Sequence, residues 1–205
     1  MREKELVFTA KVLSVIFTPF YLPMVALVSL LAFSYLALLP WMYKLFLLLT
    51  FWVFTVFLPT MLINLYRHSR GWTFRQLGNK ERRAIPYVIS ILSYLLCCYI
   101  MTVTHVPHFM RSILISALVI QIACATTNIF IKISTHTAAI GGVAGALTAF
   151  SLIFSFNPVW WLCVVLLLSG MVGTSRMILR QHSLHEVVTG FLLGVVCAFV
   201  SVLVY

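Results

Sequence analysis

Long apolar stretches separated by short polar junctions set the pattern of this chain. A membrane-crossing helix needs roughly 20 consecutive, mostly apolar residues. Seven runs approach that length, at about 11–39, 43–66, 85–104, 111–131, 137–156, 158–174 and 184–205. The first is overlong and carries Pro19 and Pro23, so it is expected to kink or to lie partly in the interface. The third opens on Pro86, a residue favoured in a first helical turn. The fifth contains AAIGGVAGA at 138–146, small residues that let helices approach closely. Connections near 40, 105–110 and 157 are short, and no repeat or Gly/Ser linker interrupts the chain. The pattern predicts an all-α integral membrane protein. It would be a bundle of about six to seven transmembrane helices in a single domain, 1–205, with helix ends gathered on one membrane face.

Composition agrees: 62% of the 205 residues are hydrophobic and only 9% are charged, far from a soluble domain. The charge is lopsided. Fourteen Lys and Arg face four acids, a formal charge of +10. There is no aspartate, and the acids are Glu3, Glu5, Glu81 and Glu186. Such scarcity argues against carboxylate-built Mg or Ca sites and against carboxylate-pair catalysis. The cysteines (Cys97, Cys98, Cys124, Cys163, Cys197) all fall inside apolar runs without Cys-x-x-Cys spacing, and read as small hydrophobes. The five tryptophans read as interfacial belt or packing residues.

Counting sides sharpens the charge pattern. Alternating crossings put the N-terminus, the 67–84 loop, the 132–136 junction and the 175–186 junction on one face, with twelve of the fourteen cations. Only Lys44 and Arg111 fall on the other. The positive-inside rule makes the basic face cytoplasmic, and the compact form fits a prokaryotic inner membrane. Three junctions on that face stand out: KERRAIP (80–86), KISTH (132–136) and SRMILRQHSLHE (175–186). Cations without counter-carboxylates point to an anionic ligand, and phosphate suits arginine forks and a lysine point charge. Helix N-termini starting just after Thr135 and Gln181 would add N–H donors.

His182 and Glu186 are four apart and share a helix face. A carboxylate on one imidazole nitrogen leaves the other free and fixed in direction, the logic of an oriented nucleophile or base. His136, on another helix end, supplies a second imidazole for acid chemistry. His105 and His108 fall on the opposite face and read as interfacial. A protease reading fails, because neither a Gly-x-Ser-x-Gly turn nor His-Glu-x-x-His is present.

These residues resemble the type 2 phosphatidic acid phosphatase family, which shares its motifs K-x6-R-P, P-S-G-H and S-R-x5-H-x3-D with the vanadium haloperoxidases. The third is S-R-MILRQ-H-SLH-E, Ser175 to Glu186, with spacing intact and Glu in place of Asp. The second is similar to I-S-T-H, Ile133 to His136. Lys80, Arg82 and Arg83 before Pro86 stand where the first would be, without its spacing. The resemblance spans about 80–190. It implies a metal-independent, cofactor-free phosphatase acting on a lipid phosphate monoester or diphosphate, with membrane lipids and no nucleic acid as partners. His182 would attack phosphorus, Glu186 would orient it, and His136 would protonate the leaving oxygen. Lys80, Arg82, Arg83, Lys132, Ser134 and Arg176 would hold phosphate. The alternative is a degenerate, non-catalytic protein that binds or transports anionic headgroups.

Overall fold

A computed structural model describes residues 3–33, 38–71 and 84–205. Among them are eight helices and no strand. They are α1 (Glu3–Ile16), α2 (Leu22–Phe33), α3 (Trp41–Ser69), α4 (Ala84–Val103), α5 (His108–Phe130), α6 (Thr135–Phe154), α7 (Val159–Ile178) and α8 (Leu184–Val204). The last six are long and apolar enough to cross a membrane, so the chain is an all-α integral membrane protein.

The first apolar run is not one segment. It is two short helices, because Pro19 lacks the N–H that Val15 would need to continue α1. The Thr18 N–H turns to the Val15 carbonyl instead, at 3.3 Å, and the chain bends before α2. Proline also shapes α3. Pro59 cannot donate to Thr55, and the turns before it widen to a π-helix over Trp52–Phe57, with the Leu58 N–H reaching Val53.

The described residues form two compact units. One comprises the chain up to Leu22 together with Ile115–Tyr205; the other is Pro23–Leu114. In the second unit α3 packs on α4, and Leu47, Phe51, Tyr94, Cys97 and Met101 are buried. The first unit carries α1, α6, α7 and α8. Its core joins Leu22, Ile140 and Val172, with Phe17, Leu168 and Phe191 packed around them.

The α6–α8 pair is the tightest contact of that unit, and glycine makes it possible. A Cβ on Gly141 or Gly145 would overlap the backbone of Phe191 or Val195, and one on Gly194 would overlap the Ala138 carbonyl. Where lipid offers no hydrophobic gain for helix association, such close backbone approach is the main source of attraction. At the end nearest the polar junctions, a Cβ on Gly190 would stand 2.6 Å from the Ser134 carbonyl. That approach lets the Ser134 N–H donate to the Glu186 carbonyl at 3.1 Å, stitching the start of α6 to the start of α8.

Candidate active site

Three chain reversals build the site, and each has a local cause. Between α5 and α6, Asn128 anchors the turn: its Nδ2 donates to the Cys124 carbonyl at 2.9 Å, and its Oδ1 accepts from the Ile133 N–H at 3.1 Å. Ser134 then takes an extended conformation and caps α6, its hydroxyl accepting from the Thr137 N–H at 3.4 Å. Lys132 is carried by this turn.

Helix α7 runs beyond its apolar stretch to Ile178, so Arg176 lies in its last turn rather than in the loop. It ends in a Schellman motif. Arg180 is left-handed (φ 51°) and donates to the Met177 carbonyl, and the Gln181 N–H donates to the Arg176 carbonyl at 3.1 Å.

Helix α8 begins at Leu184, three residues later than Gln181, and is capped by Ser183, whose hydroxyl accepts from the Glu186 N–H at 3.5 Å. Ser183 and Glu186 thus occupy the capping-box positions S-x-x-E. The carboxylate does not return to the capping residue. It reaches one residue further, and Glu186 Oε2 lies 2.6 Å from His182 Nδ1. The extra methylene of Glu over Asp serves that longer reach.

The same oxygen stands 3.4 Å from Lys132 Nζ, which also donates to the Gln181 carbonyl. With Nδ1 held by the carboxylate, Nε2 of His182 is the nitrogen left for chemistry. The imidazole is largely enclosed, its side chain 10% exposed. Burial pushes its pKa down to about 4; the Arg176 and Lys132 cations act in the same direction, and Glu186 opposes them. His182 is therefore neutral near pH 7, with Nδ1–H donating to Glu186.

Arg176 and His136 complete the cluster, both close enough to His182 for their charges to interact. His136 lies in the first turn of α6, and its Nδ1 is buried without a hydrogen-bond partner. The Arg176 Nη1 donates to the Ser14 hydroxyl at 2.6 Å, while Nε is buried and unpartnered.

So the structure brings His182, Glu186, His136, Arg176 and Lys132 together. Ser134, expected to hold phosphate, is fully buried and its hydroxyl caps α6. Its N–H also links the start of α6 to the Glu186 carbonyl. Lys80, Arg82 and Arg83 lie outside the described residues. Sequence reasoning missed Ser14, Asn128 and Ser183. Only Ser183 had a signal, the S-x-x-E spacing; Asn128 and Ser14 belong to no motif. Among the described residues no three His, Cys, Asp or Glu side chains are grouped as a metal would require.

No curated protein and no solved structure matches this chain. Residues 120–205 match the model of the PAP2 superfamily, a span that holds every clustered residue from Lys132 to Glu186 and excludes Lys80, Arg82 and Arg83. The match supports phosphatase activity on phosphate esters. The spacing from Ser175 to Glu186, the convergence of His136 on it and this match agree: residues 120–205 are similar to the PAP2 superfamily, in keeping with the resemblance to the type 2 phosphatidic acid phosphatases.

Proposed function

We propose that the protein is a metal-independent phosphatase that hydrolyses a lipid phosphate monoester or diphosphate through a phosphohistidine. The observation that carries this reading is the 2.6 Å contact of His182 Nδ1 with Glu186, which leaves a neutral Nε2 beside Arg176, Lys132 and His136. Nε2 attacks phosphorus and the bond to the leaving oxygen breaks; His136, held as imidazolium by the bound phosphate anion, gives its proton to that oxygen. Water then attacks the phosphohistidine, giving its proton to His136, and the P–N bond breaks to release inorganic phosphate. Arg176 and Lys132 offset the charge on the phosphoryl oxygens. Lys80, Arg82 and Arg83 add to that cradle in this reading.

A lipid substrate is supported by the surroundings. A mostly apolar groove of about 290 Å³ adjoins the first turns of α6 and α8, lined by Thr137, Gly170, Gly173, Met177, Leu184 and Val187. A phosphate held at helix ends leaves its tails in such a groove and in the bilayer. The cation count favours a cytoplasmic active-site face in a prokaryotic inner membrane.

The test is phosphate release by purified protein in detergent with excess EDTA, against a panel of lipid phosphates, beside His182→Ala. EDTA-resistant release that folded His182→Ala lacks is expected. Equal release by that variant sinks the mechanism. No release by folded wild type, with phosphate still bound, turns the site into a headgroup binder.

A further inference from the structure

Arg176 is held from an unexpected quarter. Its Nη1 donates to the hydroxyl of Ser14, a residue 162 positions earlier on α1. Ser14 is 8% exposed, and α1 packs along α7. The backbone of Ser14 also lies close to the His136 ring. The Ser14 carbonyl accepts from the Thr18 hydroxyl at 3.4 Å and takes no bond from the Thr18 N–H. In an unbroken helix the Thr18 N–H would bond to it, but Pro19 leaves Val15 without a donor and the Thr18 N–H goes there. A single residue of α1 therefore touches both the arginine and the second imidazole of the site.

The geometry at Arg176 gives this contact a direction. A guanidinium presents two bidentate edges, and the one formed by Nε–H and Nη2–H points away from the Nη1–H nearest the side-chain stem. Ser14 occupies Nη1. Nε is buried and has no partner. A buried N–H without an acceptor is costly. Such an edge is explained if an anion completes it. With the guanidinium turned by Ser14, its Nε–Nη2 edge is the fork on which two phosphoryl oxygens can rest.

We propose that Ser14 is a positioning residue of the phosphate site: its hydroxyl fixes the rotation of Arg176 so that the Nε–Nη2 fork is presented to the phosphoryl group. The inference rests on the phosphatase reading above, and it assigns α1 to the catalytic apparatus, although α1 lies outside the matched residues 120–205.

The experiment compares wild type with Ser14→Ala and Ser14→Thr in detergent. It measures hydrolysis of a lipid phosphate, binding of inorganic phosphate by calorimetry, and thermal stability. Alanine suits a helix, so Ser14→Ala is expected to melt with wild type. Its kcat/KM should fall roughly 10-fold, and its affinity for inorganic phosphate should fall by a similar factor, the scale of one hydrogen bond to a charged group. Ser14→Thr keeps the hydroxyl and should restore both to within about 2-fold. Unchanged kcat/KM and phosphate binding in Ser14→Ala overturn the proposal and leave the phosphatase reading standing. The converse, Ser14-dependent phosphate binding by a wild type that hydrolyses nothing, sinks the phosphatase reading alone. A folded wild type that neither binds phosphate nor hydrolyses lipid phosphates overturns both.

Discussion

Lys132 and His182 share one carboxylate oxygen. Glu186 Oε2 accepts from His182 Nδ1 at 2.6 Å and stands 3.4 Å from Lys132 Nζ. Lys132 and His182 belong to different chain reversals, so this oxygen couples the α5–α6 turn to the α7–α8 turn. It also makes Lys132 a control on the charge state of His182.

The pH dependence of turnover follows with a definite sign. In the proposed mechanism attack needs neutral His182, whose pKa is pushed down to about 4, mainly by burial, with Arg176 and Lys132 adding to it. The acid limb of kcat/KM should therefore lie near pH 4, well below an ordinary histidine near 6.5. Lys132→Met removes a cation that disfavours imidazolium and leaves Glu186 to His182 alone. Both changes raise the His182 pKa, so the acid limb moves toward higher pH. A pH–rate profile checks this; a limb that stays put or moves down contradicts the assignment of His182.

Glu186→Asp restores the residue of the family motif and should nonetheless impair this protein. The carboxylate sits at the third position of α8 and reaches past the cap to His182. Removing a methylene withdraws it by about 1.5 Å, beyond hydrogen-bond range of a ring held at 2.6 Å. The expected loss is roughly 10-fold in kcat with KM little changed, on the scale of a displaced orienting group. Steady-state kinetics of Glu186→Asp and Glu186→Gln decide it, and a fully active Asp variant would show that α8 adjusts freely.

Arg180 carries a left-handed backbone (φ 51°) at the position of the Schellman motif that usually holds glycine. It is exposed, and no role in the cluster is assigned to it. Arg180→Gly removes a Cβ clash worth about 1 kcal/mol. Thermal denaturation should show a modest gain in stability, with kcat/KM unchanged. A loss of turnover would reveal a ligand contact by the guanidinium.

The α6–α8 seam should tolerate no side chain at its closest points. Gly194→Val drives a Cβ into the Ala138 backbone and should cost about 3 kcal/mol or prevent folding. Gly170 on α7 is the matched control, since a Cβ there meets nothing within 4 Å. Gly170→Val should melt close to wild type. Equal melting of the two variants would contradict the packing.

Much of the fold could be read directly from the sequence. Six of the seven apolar runs correspond to membrane-length helices, because length and hydrophobicity are local properties that lipid selects directly. The break in the 11–39 run was legible from Pro19, whose missing N–H interrupts the helix, whereas its exact place between Ile16 and Leu22 was not. His182 and Glu186 were legible because helical spacing places them together regardless of the rest of the chain.

What the sequence determined by itself is thus an all-α membrane protein with a cationic face and a third motif whose histidine and glutamate meet within one helical turn. Tertiary structure alone decided how distant residues reach that pair. Lys132 arrives through a turn anchored by Asn128, Ser134 is turned into a cap, and Ser14 comes from α1 to hold Arg176. The physical reason is range. Helical periodicity fixes neighbours three or four residues apart, whereas a contact across 162 residues depends on how α1 packs along α7 and where Pro19 ends α1.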